Sequence, residues 1–121
     1  MIGYGRPILQ CMVSPYIEKL ARHFDGVFVH THALGRHLIP SFSRVKGLCL
    51  LELTQDPNQP CPIGMLEQLI EDANGFPLQI RGAPEEIRAS LKIAKKGRVI
   101  FSAQTKNLEE ARDLIDMVRN I

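Results

Sequence analysis

The 121-residue sequence has no run of eighteen apolar residues, so no membrane-spanning helix is expected. Its opening, Met1-Ile2-Gly3-Tyr4-Gly5-Arg6-Pro7, lacks the charged-then-apolar order of a secretory signal. Cysteine is scarce: Cys11, Cys49 and Cys61 are an odd number without CxxC spacing, which argues against a disulfide framework and fits reduced thiols in a cytoplasm. An excess of charge is missing too. The net charge is +2, and the Lys and Arg residues are scattered instead of striped along one face, so nucleic acid is not an expected partner. Sequence repeats, low-complexity tracts and internal linkers are also lacking, which leaves a single domain over residues 1–121. What is there, 45% hydrophobic and 23% charged residues, is the composition of an ordinary globular domain long enough to bury a core.

Hydrophobic periodicity alternates along the chain. Leu9, Met12, Val13, Ile17, Leu20 and Phe24 recur at helical spacing, with Pro15 either starting the helix at its first turn or kinking a longer one. Asp25-Gly26 breaks that pattern, and Val27-Phe28-Val29 reads as a buried strand over 26–30. A short amphipathic stretch follows over 33–43, limited by Pro40. The second strand, 48–53, is nearly continuous in apolar residues, as parallel strands buried on both faces are, and Cys49 in its middle reads as a small core residue. Thr54 to Pro62 is a turn-rich loop of defined shape, and the helix after it ends at Asn74-Gly75. Phe76 to Ile80 is a third strand, Pro84 with Glu85 and Glu86 opens a fourth helical stretch, and Arg98 to Ala103 is a fourth strand. Asn107 with Glu110 is a capping-box-like start to the last helix. Four strands alternating with five helical stretches imply parallel pairing through right-handed crossovers. The expected class is therefore α/β.

The segment Gly26-Val27-Phe28-Val29-His30-Thr31-His32-Ala33-Leu34-Gly35 concentrates the chemistry. Two histidines stand where a strand ends, and ligands of α/β proteins bind over the carboxyl ends of strands. In an extended chain residues i and i+2 point the same way, so His30 and His32 can share one face. Zinc accepts imidazole readily, and Glu52 at the end of the next strand is the best-placed third ligand for a metal site. Arg81, ending the third strand, suits an anionic substrate such as a carboxylate, because guanidinium pairs with it bidentately. Gln79 and Gln104 are weaker candidates of the same kind. His23 suits the dipole at the end of the first helix, His37 reads as a surface residue, and Cys61 lacks an adjacent base.

Together with Pro15-Tyr16-Ile17-Glu18-Lys19-Leu20, Gly97-Arg98-Val99-Ile100-Phe101-Ser102 and Leu108-Glu109-Glu110-Ala111, the His30 segment resembles the C-terminal half of the uroporphyrinogen decarboxylase superfamily. That superfamily includes cobalamin-dependent methyltransferases, and its members are (β/α)₈ barrels. The resemblance implies a parallel (βα)₄ half of a TIM-type barrel, preceded by an N-terminal helix. It further implies decarboxylation of a tetrapyrrole acetate, or zinc-assisted methyl transfer from a corrinoid to a thiol, in a protein completed by another half. Two departures stand out. His32 occupies the place of a zinc-ligating cysteine of the methyltransferase branch, and Ser102-Ala103-Gln104 falls where a later cysteine would be. The competing expectation is a non-catalytic module or truncated fragment of the same fold. Four parallel strands leave two open edges and an uncovered inner face, from which a homodimer is expected.

Overall fold

The computed structural model describes residues 13–121. Helix α1 spans Ser14–His23, with Pro15 in its first turn and Arg22 and His23 in its last. The expected helical positions Leu9 and Met12 lie outside the described residues. Gly26, at φ 159°, leads into strand β1, Val27–His32. A 3₁₀ turn, Ala33–Leu38, runs into the single-turn helix α2, Ile39–Phe42, which Pro40 confines. Strand β2 is Leu48–Thr54. After the loop a 3₁₀ turn, Pro62–Met65, feeds α3, Leu66–Ala73, which ends on Asn74 in the left-handed region at φ 48°. Then come β3, Leu78–Arg81, α4, Pro84–Ala94, β4, Val99–Ser102, and α5, Leu108–Arg119.

The termini of the last two helices are closed as their sequences dictate. Glu86 accepts the Ala83 N–H at 3.0 Å, so the residue at the third helical position caps the chain before Pro84. Asn107 Oδ1 accepts the Glu110 N–H at 2.8 Å, and the Glu110 carboxylate reaches back to the Lys106 N–H at 2.7 Å.

All four strands are parallel and lie in sequence order, β1-β2-β3-β4. Consecutive right-handed crossovers in such a sheet all pass over the same face. Accordingly α2, α3, α4 and α5 form one layer, each packed on the next. The side chains beneath that layer make the core: Leu51, Leu53, Leu78 and Ile80 from the central strands meet Ile39, Leu66, Leu69, Ile87 and Leu91 from the helices. Arg36 ties the layer laterally, its Nε donating to Asp72 at 2.8 Å and its Nη1 to Gln68 at 3.2 Å.

Among the described residues no helix lies over the opposite face, and two sequence expectations change for that reason. The second strand is buried on one face only: Leu51 is fully buried while Leu50, on the other side, is half-buried. Cys49 is exposed, not a core residue. The β1–β2 register slips between Val27 and Phe28, so that Leu48 and Leu50 take consecutive partners and Cys49 is the extra residue of a bulge. Its thiol packs over Gly26, where a Cβ would come within 2.5 Å of the sulfur.

The first strand also runs further than expected. Pairing continues from His30 with Glu52 to His32 with Thr54, so His32, expected just beyond the strand, is a strand residue like His30. The coarse architecture is a parallel four-stranded α/β layer pair compatible with half of a barrel.

Candidate functional site

Pairing register sorts the open face into rows. His30, Glu52, Gln79 and Ile100 stand level across the four strands. Two residues further along each strand, at the carboxyl end, come His32, Thr54, Arg81 and Ser102, on the same face by strand alternation. Polar residues fill a face that would otherwise be apolar core, and they gather at the end of the sheet where the crossover loops begin.

Two histidine–carboxylate pairs result. His30 Nδ1 lies 3.5 Å from Glu52 Oε1, and its Nε2 lies 3.5 Å from Thr54 Oγ1. Thr54 donates its hydroxyl to the Thr31 carbonyl at 3.3 Å, which fixes it between β1 and β2. His32 Nδ1 lies 3.2 Å from Asp56 Oδ1. The two imidazoles meet edge-to-face with ring centroids 5.3 Å apart. Both rings are about half exposed, at 51% and 49% of the side chain, whereas Glu52 and Asp56 are at 26% and 11%. Sheltered carboxylates thus back two solvent-accessible imidazoles, an arrangement that orients the rings.

Asp56 was not legible as a site residue: the sequence shows it only as a turn former ahead of Pro57. It becomes one because the loop folds back on itself. Gln55 Nε2 donates to the Gln59 carbonyl at 2.7 Å, the Gln59 N–H to the Asp56 carbonyl at 3.1 Å, and Asn58 adopts φ 60°. That turn buries Asp56 beneath His32. Thr54 likewise carried no signal beyond its position at a strand end.

A cleft of about 540 Å³ opens beside these pairs, beyond the carboxyl ends of β2 and β3. Thr54, Cys61, Arg81, Glu86 and Gln104 are among the residues that line it. Two of the three residues expected to hold substrate, Arg81 and Gln104, therefore share one cleft. Gln79 does not; it stands one row deeper, level with Glu52. The guanidinium of Arg81 forms no ion pair among the described residues. The Glu86 carboxylate is committed to the Ala83 N–H, and the Cys61 thiol is directed at the Arg81 carbonyl at 3.6 Å. Thr54 is the common member of the cleft and the His30 pair.

Glu52 stands where the sequence placed it, beside His30. Even so, among the described residues no group of three or more His, Cys, Asp or Glu side chains is arranged to hold a metal ion. Each imidazole presents its Nδ1 to a carboxylate of its own, and the two carboxylates belong to different pairs. As placed, these residues do not make the three-donor set that a catalytic zinc needs.

His23 lies exposed in the last turn of α1, and His37 is half-buried in the 3₁₀ turn after β1; neither is in the cluster. No helix among the described residues is long and apolar enough to cross a membrane. Comparison of the chain with family models, with curated proteins and with solved structures finds no match.

Proposed function

We propose that this chain is a uroporphyrinogen decarboxylase-like half-barrel whose carboxyl-end rim binds a carboxylated small molecule of the tetrapyrrole kind. The observation that carries the reading is Arg81: an arginine without an ion-pair partner among the described residues, in a cleft it shares with Gln104 and Thr54. A guanidinium in a recess can accept a carboxylate through two parallel N–H···O bonds. Gln104 adds an amide donor at the same rim. Thr54 connects that anion site to His30 and Glu52, which form a proton-transfer pair next to the bound acid. Loss of carbon dioxide from an acetate side chain leaves its electron pair on carbon, and a protonated imidazole held by a carboxylate is a suitable proton source for it. The half-barrel assignment rests on parallel strands in sequence order, crossovers on one face and a polar row on the other.

The test is fluorescence titration with uroporphyrin, a stable oxidised tetrapyrrole carrying the same carboxylates. Saturable binding is expected, and Arg81→Ala should weaken it by roughly tenfold or more, the worth of a charged hydrogen bond of about 1.5–3 kcal/mol. Equal affinity of the variant and the parent chain would remove the reading's main support.

A further inference from the structure

The exposed apolar side chains of this chain are not spread over its surface. Among the described residues, every large hydrophobic residue that is exposed lies either within residues 13–28 or within residues 100–121, and none between. The two groups flank the two open edges of the sheet. At the β1 edge, Tyr16 and Leu20 on α1 and Phe24 just after its end succeed one another four residues apart, at 71%, 54% and 64% exposure, and Phe28 on the open face is 61% exposed. At the β4 edge an apolar groove of about 520 Å³ runs between β4 and α5, with Ile100 and Ile115 on its walls and Val118 and Leu114 within it. The flanking helices differ in charge. Helix α1 holds Glu18 against Lys19 and Arg22, a net +1, while α5 holds four acids against two arginines, a net −2.

One edge therefore offers a protruding apolar stripe on a cationic helix, and the other an apolar groove beside an anionic one. We propose that the occupant of each edge is the opposite edge of a second copy of this chain, so that two copies close an eight-stranded parallel barrel. A two-fold axis along the barrel keeps all strands parallel, and sets β4 of each copy beside β1 of the other in two identical seams. Pairing like edges would run the strands antiparallel and would leave stripe facing stripe. The heterologous seam satisfies both ladders at once and closes after two copies instead of growing. Closure also places the His30–Glu52 and Arg81 clusters of both copies around one mouth, because both sheets point their carboxyl ends the same way. The inference stands on the edges and does not depend on which ligand the mouth takes.

Light scattering on the full chain at micromolar concentration reads it directly. The expected mass is twice the 13.6 kDa of the chain. Two variants at already exposed positions then test the seam. Leu20→Glu with Phe24→Glu spoils the stripe, Ile100→Lys with Ile115→Lys spoils the groove, and each double variant should be a folded monomer by circular dichroism. Mixed in equal amounts they should regain the dimer mass, since one seam is then native and the other pairs acid with base. A monomeric parent chain overturns the proposal, and so does a dimer that survives both double variants. Failure of the mixture to recombine would overturn the head-to-tail seam, and a parent chain that is monomeric yet binds uroporphyrin would leave only the ligand reading standing.

Discussion

Glu52 stands level with His30 on the neighbouring strand, its carboxylate 3.5 Å from the imidazole and half as exposed. Parallel register, not sequence proximity, makes the pair. The two side chains should act as a unit in ligand binding, so His30→Ala and Glu52→Ala are expected to be non-additive. In a double-mutant cycle read by uroporphyrin affinity, the coupling should amount to about 0.5–3 kcal/mol. Strict additivity would mean that the two residues contribute separately.

The zinc expectation has its own measurement. With each imidazole engaged on a separate carboxylate, zinc added to the chain should be lost on buffer exchange, because two-donor sites hold it poorly. One retained zinc per chain, abolished by His30→Ala, would show that His30, His32 and Glu52 reorganise into a ligand set and would favour the methyl-transfer branch of the resemblance.

Burial on one face alone gives a contrast between neighbouring residues of β2. Leu51 is fully buried, and Leu51→Ala should cost about 2–5 kcal/mol in denaturant unfolding. Cys49 is the exposed residue of the bulge, and Cys49→Ser should stay within about 0.5 kcal/mol. A large loss for the serine variant would put the thiol back in the core.

Architecture was largely legible in the sequence because it rests on periodicity: Leu66, Leu69 and Ala73 repeat at helical spacing, and Val27 to Val29 could only be a strand. What the sequence did not reveal depends on register and on loop closure. The bulge at Cys49 arises from pairing with β1, and an apolar run cannot announce that one of its faces is open. Glu52 was legible because it interrupts such a run near a strand end. Asp56 was not, since a turn former becomes a histidine partner only when Gln55 and Gln59 fold the loop over it.

The surface pair between α3 and the end of α4 sets a modest pH dependence. Lys96 Nζ lies 2.8 Å from Glu67 Oε1, and this hydrogen bond and charge hold the Glu67 carboxyl below its ordinary value of 4.5 and raise Lys96 above 10.5. A lowered carboxylate stabilises the fold above its unfolded value, and that contribution is lost as pH falls through the folded one. For the raised ammonium the contribution is present at neutral pH and is lost as pH rises through its folded value. Glu67→Gln should therefore remove a small contribution present at neutral pH and flatten the loss of stability below about pH 4.5 and in strong alkali, where the parent loses it too; the contribution is small because salt and water screen so exposed a pair. An effect that survives molar salt would contradict this assignment.

The most direct measurement of the central claim is a map of where the ligand sits. Backbone amide resonances of the isotopically labelled chain, followed during uroporphyrin titration, should shift at the carboxyl end of the sheet: His30, His32, Thr54, Arg81, Gly82 and Gln104. Residues at the opposite end, such as Gly47, Gly75 and Gly97, should remain still. Shifts confined to that opposite end, or none at saturating ligand, would contradict a carboxylate-binding rim built on Arg81 and the two histidine pairs.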